Sequence, residues 1–103
     1  MPREPLSNIG FVCEKHAADD RKSNSAKSPK SFVGKHVKLG FPTGLTGPRE
    51  PRVERMWVKT LRESEGKLIG VVDNDPITPN VAREYPSGTE IEFETNEILE
   101  VLP

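Results

Sequence analysis

This chain of 103 residues has few of the sequence features that are typical of enzymes, secreted proteins and membrane proteins. Its single cysteine, Cys13, excludes an internal disulfide, and no run of about 18 apolar residues is long enough to cross a membrane. Residues 1–5 lack the apolar centre of a signal peptide. With 33% hydrophobic and 6% aromatic residues, the chain has room for one domain with a small core. These features predict a cytoplasmic protein with no membrane partner.

Catalytic and cofactor motifs are also missing. A nucleophile and a base are available in Cys13 and the two histidines, His16 and His36. However, Cys13 fits a small buried side chain, and both histidines have charged neighbours. Their spacing is not that of a zinc site. Gly44 and Gly47 lack the strand and helix context of a phosphate-binding loop. We therefore expect a protein that is not an enzyme and has no catalytic residues, no metal and no cofactor.

Composition divides the chain at residue 32. In residues 1–31, Ile9, Phe11 and Cys13 alternate with other residues as in a short strand, and residues 17–31 hold no large apolar side chain. Ordering such a polar segment would bury little surface for the entropy lost, so we expect it to be mobile. Residues 32–103 are expected to form the folded, β-barrel-like domain.

Charge is distributed unevenly between the two halves. Residues 1–60 hold twelve Lys and Arg against six Asp and Glu (12 − 6 = +6), and residues 61–103 hold three against ten (3 − 10 = −7). The opposite charges either compensate each other on a solvated surface or give the molecule a basic and an acidic side. Compensation on a solvated surface is the favoured interpretation, because surface ion pairs contribute little free energy.

Alternation of apolar and polar residues predicts β-structure from Phe32 onward. Strands are expected over residues 34–42, 53–61, 67–73, 88–94 and 98–102, with a long exposed loop over 43–51 and a hairpin turn over 63–66. One face is shared by Val37, Leu39 and Phe41 in the first strand, by Met56 and Val58 in the second, and by the inward-facing Ile91 and Phe93 in the fourth. In the third strand Leu68, Gly70 and Val72 alternate with Ile69, Val71 and Asp73, so both of its faces are apolar and we expect it to be central and covered on both sides. Gly70 is expected at a bulge or a close approach of two chains.

A short helix is predicted between the third and fourth strands. Thr78 followed by Pro79 is typical of a helix N-terminus, and Pro86 ends the helix after Tyr85. The pattern predicts a mainly-β protein, built as a small bent antiparallel sheet or an SH3-like barrel with one short helical turn and a mobile N-terminal segment. An α+β roll is the alternative.

Four sequence blocks carry a family resemblance. They are Val37-Lys-Leu-Gly-Phe41, Glu54-Arg-Met-Trp-Val-Lys59, Gly70-Val-Val-Asp-Asn-Asp-Pro76, and Gly88-Thr-Glu-Ile-Glu-Phe93 with Ile98. Together, over residues 35–102, they resemble the bacterial domain of unknown function 2314 family, also called YegJ-like. The resemblance implies a compact β-rich domain, found alone or attached to other modules, with no assigned activity.

The chain departs from that family in two places. Members resembling this pattern often have an N-terminal helix where this chain has its polar segment. They also often end in an Asp-Trp pair, where this chain has Glu100 and Val101. Functions that reside in those two regions are therefore not carried over.

Trp57, the only Trp, lies between Arg55 and Lys59 on one strand face. The favoured interpretation of Trp57 is a second-layer core residue under the N-terminal strand, and the other is a stacking platform flanked by cations. The candidate partner-binding residues are Trp57, Arg55, Lys59, Arg52 and Arg49. We expect a binding or accessory domain, regulatory or inhibitor-type, that engages a protein partner through this Trp/basic face and the Pro/Gly-rich loop. A nucleic-acid-associated SH3-like module that contacts phosphates is the alternative, against which the acidic final strands count.

The acidic corner Asp73-Asn74-Asp75 before Pro76 also has two interpretations. Its oxygens are suitable ligands for a hard cation, but they lack the number and spacing of a calcium loop. Asp and Asn side chains also bind nearby backbone groups in turns, which is the favoured interpretation.

Overall fold

A computed structural model describes residues 4–7, 9–12 and 27–102, which contain one five-stranded antiparallel sheet. The strands are β1 (His36–Pro42), β2 (Val53–Ser64), β3 (Lys67–Val72), β4 (Glu90–Phe93) and β5 (Glu100–Val101). The helical elements are a 3-10 turn over Pro29–Phe32, the helix α1 (Pro79–Glu84) between β3 and β4, and a 3-10 turn over Thr95–Glu97.

The strand order across the sheet is β4-β3-β2-β1-β5. The prediction of a mainly-β protein with a small antiparallel sheet and one short helix is confirmed for the described residues. The sheet is not closed into a barrel, because β4 and β5 lie at opposite edges. The register between β2 and β3 shifts between Thr60 and Arg62. Such a bulge increases the local twist and bends the long strand β2.

The core lies on one face of this sheet, and the predicted alternation places it correctly. Val37, Leu39 and Phe41 of β1 are 0% exposed, as are Met56 and Val58 of β2. The remaining core residues come from β3, β4 and the connecting segments: Phe32, Leu68, Val72, Val81, Ile91, Phe93 and Ile98. We call this the inner face and the opposite side of the strands the outer face.

The hairpin turn between β2 and β3 forms where the sequence predicted it. Ser64 pairs with Lys67, which leaves Glu65 and Gly66 as a two-residue loop with φ angles of 53° and 82°. Two positive φ values are those of a type I′ turn, whose twist matches that of antiparallel strands. The Gly66 N–H also donates to Oε1 of Glu63 at 2.8 Å. Pairing continues to this turn, so β2 extends three residues beyond its predicted end at Leu61.

Gly70 occupies a tight position between three strands of the sheet. A Cβ atom there would lie 2.6 Å from Cγ1 of Val58, 2.7 Å from the Lys59 carbonyl oxygen and 3.1 Å from Cε1 of Phe93. The predicted close approach is therefore present, and β2, β3 and β4 pack together because residue 70 has no side chain.

The helix α1 begins at Pro79, as predicted, and ends at Glu84, one residue before the predicted end. Thr78 makes no side-chain cap hydrogen bond. The carboxylate of Glu54 on β2 instead accepts hydrogen bonds from the N–H groups of Ile77 (2.6 Å) and Thr78 (2.8 Å). This contact fixes the entrance to α1 against the sheet.

The two chain ends differ from the predicted strands. Ile9 and Phe11 pack against the core, but residues 9–12 are irregular and not a strand. Cys13 of the predicted strand lies outside the described residues, as do residues 17–26 of the predicted mobile segment. The last residues of the mobile segment lie in the 3-10 turn over Pro29–Phe32. The predicted strand over 98–102 is reduced to β5, because the 3-10 turn over Thr95–Glu97 runs directly into Ile98.

Candidate interaction face

The outer face of β1 and β2 brings together three of the predicted partner-binding residues. Because Met56 and Val58 point into the core, Arg55, Trp57 and Lys59 point outward. Trp57 and Lys59 are half-buried and Arg55 is exposed. The interpretation of Trp57 as a second-layer core residue under the N-terminal strand is wrong: Ile9 and Phe11 pack against the core of the inner face, and Trp57 lies outside that core cluster.

A cation on the neighbouring strand covers the Trp57 ring. The register places Lys38 of β1 directly beside Trp57, and Nζ of Lys38 lies 4.6 Å from the ring centroid. The same Nζ is 2.9 Å from Oε2 of Glu100, which β5 brings to the other side of Lys38. Glu100, Lys38 and Trp57 therefore form one row across the outer face, in which the carboxylate holds the cation against the aromatic ring.

The corner after β3 closes around the backbone of Trp57. The Asp73 N–H donates to the Trp57 carbonyl oxygen at 3.0 Å, and Oδ1 of Asn74 accepts from the Trp57 N–H at 3.3 Å. The Asn74 amide also donates to the Asp75 carbonyl oxygen at 3.3 Å. These contacts support the turn interpretation of the acidic corner. Within the residues that the structure describes, no three His, Cys, Asp or Glu side chains converge as metal ligands.

His36 contacts the same corner from β1. Its Nε2 lies 2.7 Å from Oδ2 of Asp73, and the pair joins the first strand to the end of the third across the outer face. Cys13 and His16, the other members of the discarded nucleophile group, lie outside the described residues.

Arg49 and Arg52 are exposed on the loop between β1 and β2, not on the strand face. The base of this loop is fixed by Thr43, which is 1% exposed. The Thr43 hydroxyl donates to the Pro51 carbonyl oxygen at 2.7 Å, its N–H donates to the Arg52 carbonyl oxygen at 3.1 Å, and its own carbonyl accepts from Asn80 at 3.1 Å. The two arginines thus extend from an anchored loop at one end of β2.

Acidic side chains gather at the β4 edge. An open cleft of about 430 Å³ is lined by the N-terminal residues, Phe93 and the carboxylates of Glu92, Glu94 and Glu97. Lys67 lies 3.2 Å from Glu92, and the pKa of its ammonium is raised, first by its hydrogen bond to Glu92 and then by the charges of Glu92, Glu94 and Glu97. Part of the excess negative charge of residues 61–103 therefore lies at β4, and part of it, at Glu100, pairs with Lys38 of the basic half.

Sequence reasoning missed the residues that complete this face, namely His36, Lys38, Asp73 and Glu100. A signal for Lys38 was present, since it shares the polar face of its strand with His36. Its position beside Trp57 depends on the register of β1 against β2, which the alternation of either strand does not specify.

No helix among the described residues has the length and apolar character needed to cross a membrane. The comparisons identify no relative: no family model, no curated protein and no solved structure matches the chain.

Proposed function

We propose that this protein is a non-enzymatic binding domain that engages a protein partner through the outer face of β1 and β2. The observation that carries the proposal is Trp57, a large aromatic side chain that is half-buried outside the core and supported by Lys38 at 4.6 Å. Trp and Arg are enriched among the residues that dominate binding energy at protein interfaces. Trp57 with Arg55 beside it on the same face provides both types.

The polar groups around Trp57 suit a protein more than a polyanion. Lys38 covers one face of the indole ring, which a nucleobase would need for stacking, and Glu100 holds Lys38 there. The carboxylates of Asp73 and Glu100 flank the cations, so phosphates would meet negative charge close to the ring. A protein surface with both apolar and mixed charged groups complements this arrangement.

The loop between β1 and β2 extends the proposed contact. Its exposed Arg49 and Arg52 are available to acidic side chains of a partner, and its base is held by Thr43. An anchored loop loses less conformational entropy on binding than a free one. We therefore include the loop in the binding surface and assign Arg49 and Arg52 to its rim.

Two further assignments are part of the proposal. We propose that residues 35–102 belong to the bacterial domain of unknown function 2314 family, supported by the quoted blocks, which coincide with β1, β2, the end of β3 with its acidic corner, and β4. We also propose a cytoplasmic location, which the composition supports. Fractionation of the cells that produce the protein tests the location.

The test of function is affinity capture with the full-length protein from an extract of its own cells, treated with nuclease and washed at low and at moderate salt. A partner protein should be retained by the wild type and lost by Trp57→Ala and Arg55→Ala. Loss of a central anchor typically weakens binding by about 2 kcal/mol or more, roughly 30-fold.

Matched controls are available away from the face. Ile77 is 90% exposed and Arg83 is an exposed arginine on α1, so Ile77→Ala and Arg83→Ala should retain the partner. Equal capture by all variants would contradict the proposal. If the wild type retains a ligand from an untreated extract but not from the nuclease-treated one, the ligand of this face is a nucleic acid.

A further inference from the structure

The N-terminal segment, residues 4–7 and 9–12, occupies a groove between the two unpaired parts of the sheet. At one side it pairs in parallel with β4: the Leu6 N–H donates to the Glu90 carbonyl oxygen at 3.0 Å, and the Glu92 N–H donates to the Leu6 carbonyl oxygen at 2.7 Å. At the other side the Val12 N–H donates to the Gly40 carbonyl oxygen of β1 at 2.9 Å. The segment therefore bridges the β4 edge and the part of β1 that β5 leaves unpaired.

Two side chains of the segment point into the groove. Ile9 and Phe11, two residues apart, pack against the hydrophobic core, and the Phe11 ring contacts the Phe41 ring edge-on at 5.1 Å between centroids. Backbone pairing at a sheet edge combined with alternate apolar anchors is the way in which extended peptides bind to domains by strand addition.

Gly40 makes this seat possible. A Cβ atom at residue 40 would overlap the carbonyl oxygen of Val12, a backbone atom that has no side-chain freedom to move away. A side chain at residue 40 therefore displaces Val12 from the edge of β1, while the pairing of β1 with β2 continues through residue 40.

We propose that this groove is an interaction site for a second copy of the chain, which binds by inserting its own N-terminal segment. The groove already accommodates this sequence, so an inserted copy needs no new contact surface. Residues 13–26 separate the segment from the rest of the described chain. At about 3.3–3.6 Å per residue, such a connection reaches up to about 50 Å, which exceeds the longest dimension of the molecule, 39 Å.

Competition within one chain sets the conditions for this exchange. A segment tethered to its own groove has an effective concentration in the millimolar range, so the wild-type protein is monomeric when dilute. Insertion of the N-terminal segment into another copy is detected directly when the segment cannot enter the groove of its own chain.

Two full-length variants separate the groove from the segment. Gly40→Ala obstructs the Val12 end of the groove and retains the segment, whereas Ile9→Ser with Phe11→Ser disables the segment and retains the groove. Light scattering should show each variant as a monomer and their mixture as a one-to-one complex. A chain that carries all three substitutions is the control and should bind neither variant.

A mixture that stays monomeric at concentrations up to about millimolar, with both variants folded by circular dichroism, would overturn the proposal. If a variant does not fold, a refolding experiment with the wild type tests the proposal instead. Isotopically light and heavy chains refolded together at about millimolar concentration should give mixed dimers in native mass spectrometry, which dissociate on dilution. Refolded wild-type chains that remain monomeric at that concentration would equally overturn it.

Discussion

The two faces of β1 and β2 are built from alternate residues of the same strands and have opposite character. On the inner face, Met56 and Val58 are 0% exposed and packed into the core. On the outer face, Trp57 lies between them in sequence, half-buried, with Lys38 over its ring. The difference shows that the largest side chain of the chain is not required to fill the core and is available for contact with another molecule.

The comparison is tested most severely by adjacent substitutions on opposite faces. Met56→Ala removes a fully buried side chain and should lower the free energy of unfolding by about 2–5 kcal/mol, because a cavity remains. Trp57→Ala should cost less than Met56→Ala, since Trp57 is only half-buried and lies outside the core cluster. Urea denaturation of both variants measures the difference. A loss for Trp57→Ala as large as that for Met56→Ala would show that both faces are core.

Gly70 tests how tightly the inner face is packed. Gly70→Ala should destabilise the protein by about 1–3 kcal/mol, because its Cβ would lie 2.6 Å from Cγ1 of Val58 and 2.7 Å from the Lys59 carbonyl oxygen. Gly47→Ala is the control, since the atoms close to its Cβ belong to the exposed Glu50 side chain, which moves at the cost of one exposed hydrogen bond from the Gly47 N–H. The control should change the free energy of unfolding by less than about 0.5 kcal/mol. Equal denaturation midpoints for the two variants would argue against the close contact.

Glu54, on the same face of β2 as Met56, gives a pH-dependent test. Burial raises the pKa of its carboxyl, but hydrogen bonds from the Ile77 and Thr78 N–H groups and the Thr78 hydroxyl outweigh this and lower the pKa overall. A pKa lowered by folding adds stability that is complete above the ordinary carboxyl pKa and is lost as pH falls through the native pKa. Glu54→Gln should therefore be less stable than wild type at neutral pH, and the difference between their free energies of unfolding should become smaller in acid.

Denaturation midpoints between neutral and acidic pH measure that gap. Glu65→Gln, in the exposed hairpin turn, is the matched control and should follow the wild type throughout. A gap between wild type and Glu54→Gln that is constant across the range would contradict the assigned role of the carboxylate.

The smallest expected effect concerns the row Glu100–Lys38–Trp57. Lys38→Met retains the apolar stem over the ring and removes the charge, so it should lower the free energy of unfolding by no more than about 1 kcal/mol. The loss should shrink at high salt, because the pair of Lys38 with Glu100 is partly exposed. Lys59→Met on the same face provides the comparison in the same denaturation series. A loss for Lys38→Met that salt leaves unchanged would argue against the ion pair.

The sequence alone predicts the inner face well. Alternation identifies Val37, Leu39 and Phe41 as inward because a strand has a strict two-residue period, and the Gly66 turn sets the pairing of β2 with β3. Gly70 is also predictable, since a glycine between apolar residues of a central strand indicates close approach.

The outer face is predicted less completely. The strand period places Trp57 opposite Met56 and Val58, but it does not say whether the N-terminal segment covers that side of the sheet, which depends on tertiary packing. Contacts of Lys38 with Trp57, and of His36 with Asp73, depend on the register of β1 against strands that follow it after a ten-residue loop. That register comes from packing of the whole core and is not encoded in any one segment.

Fluorescence of the single Trp in the chain tests the central claim most directly. Because Trp57 is the only Trp, its quenching by acrylamide reports on the outer face alone. The account predicts efficient quenching in the native protein, less than in the denatured chain, and protection when the captured partner is added. A native indole with blue-shifted emission that acrylamide does not reach would contradict it, because Trp57 would then belong to the core.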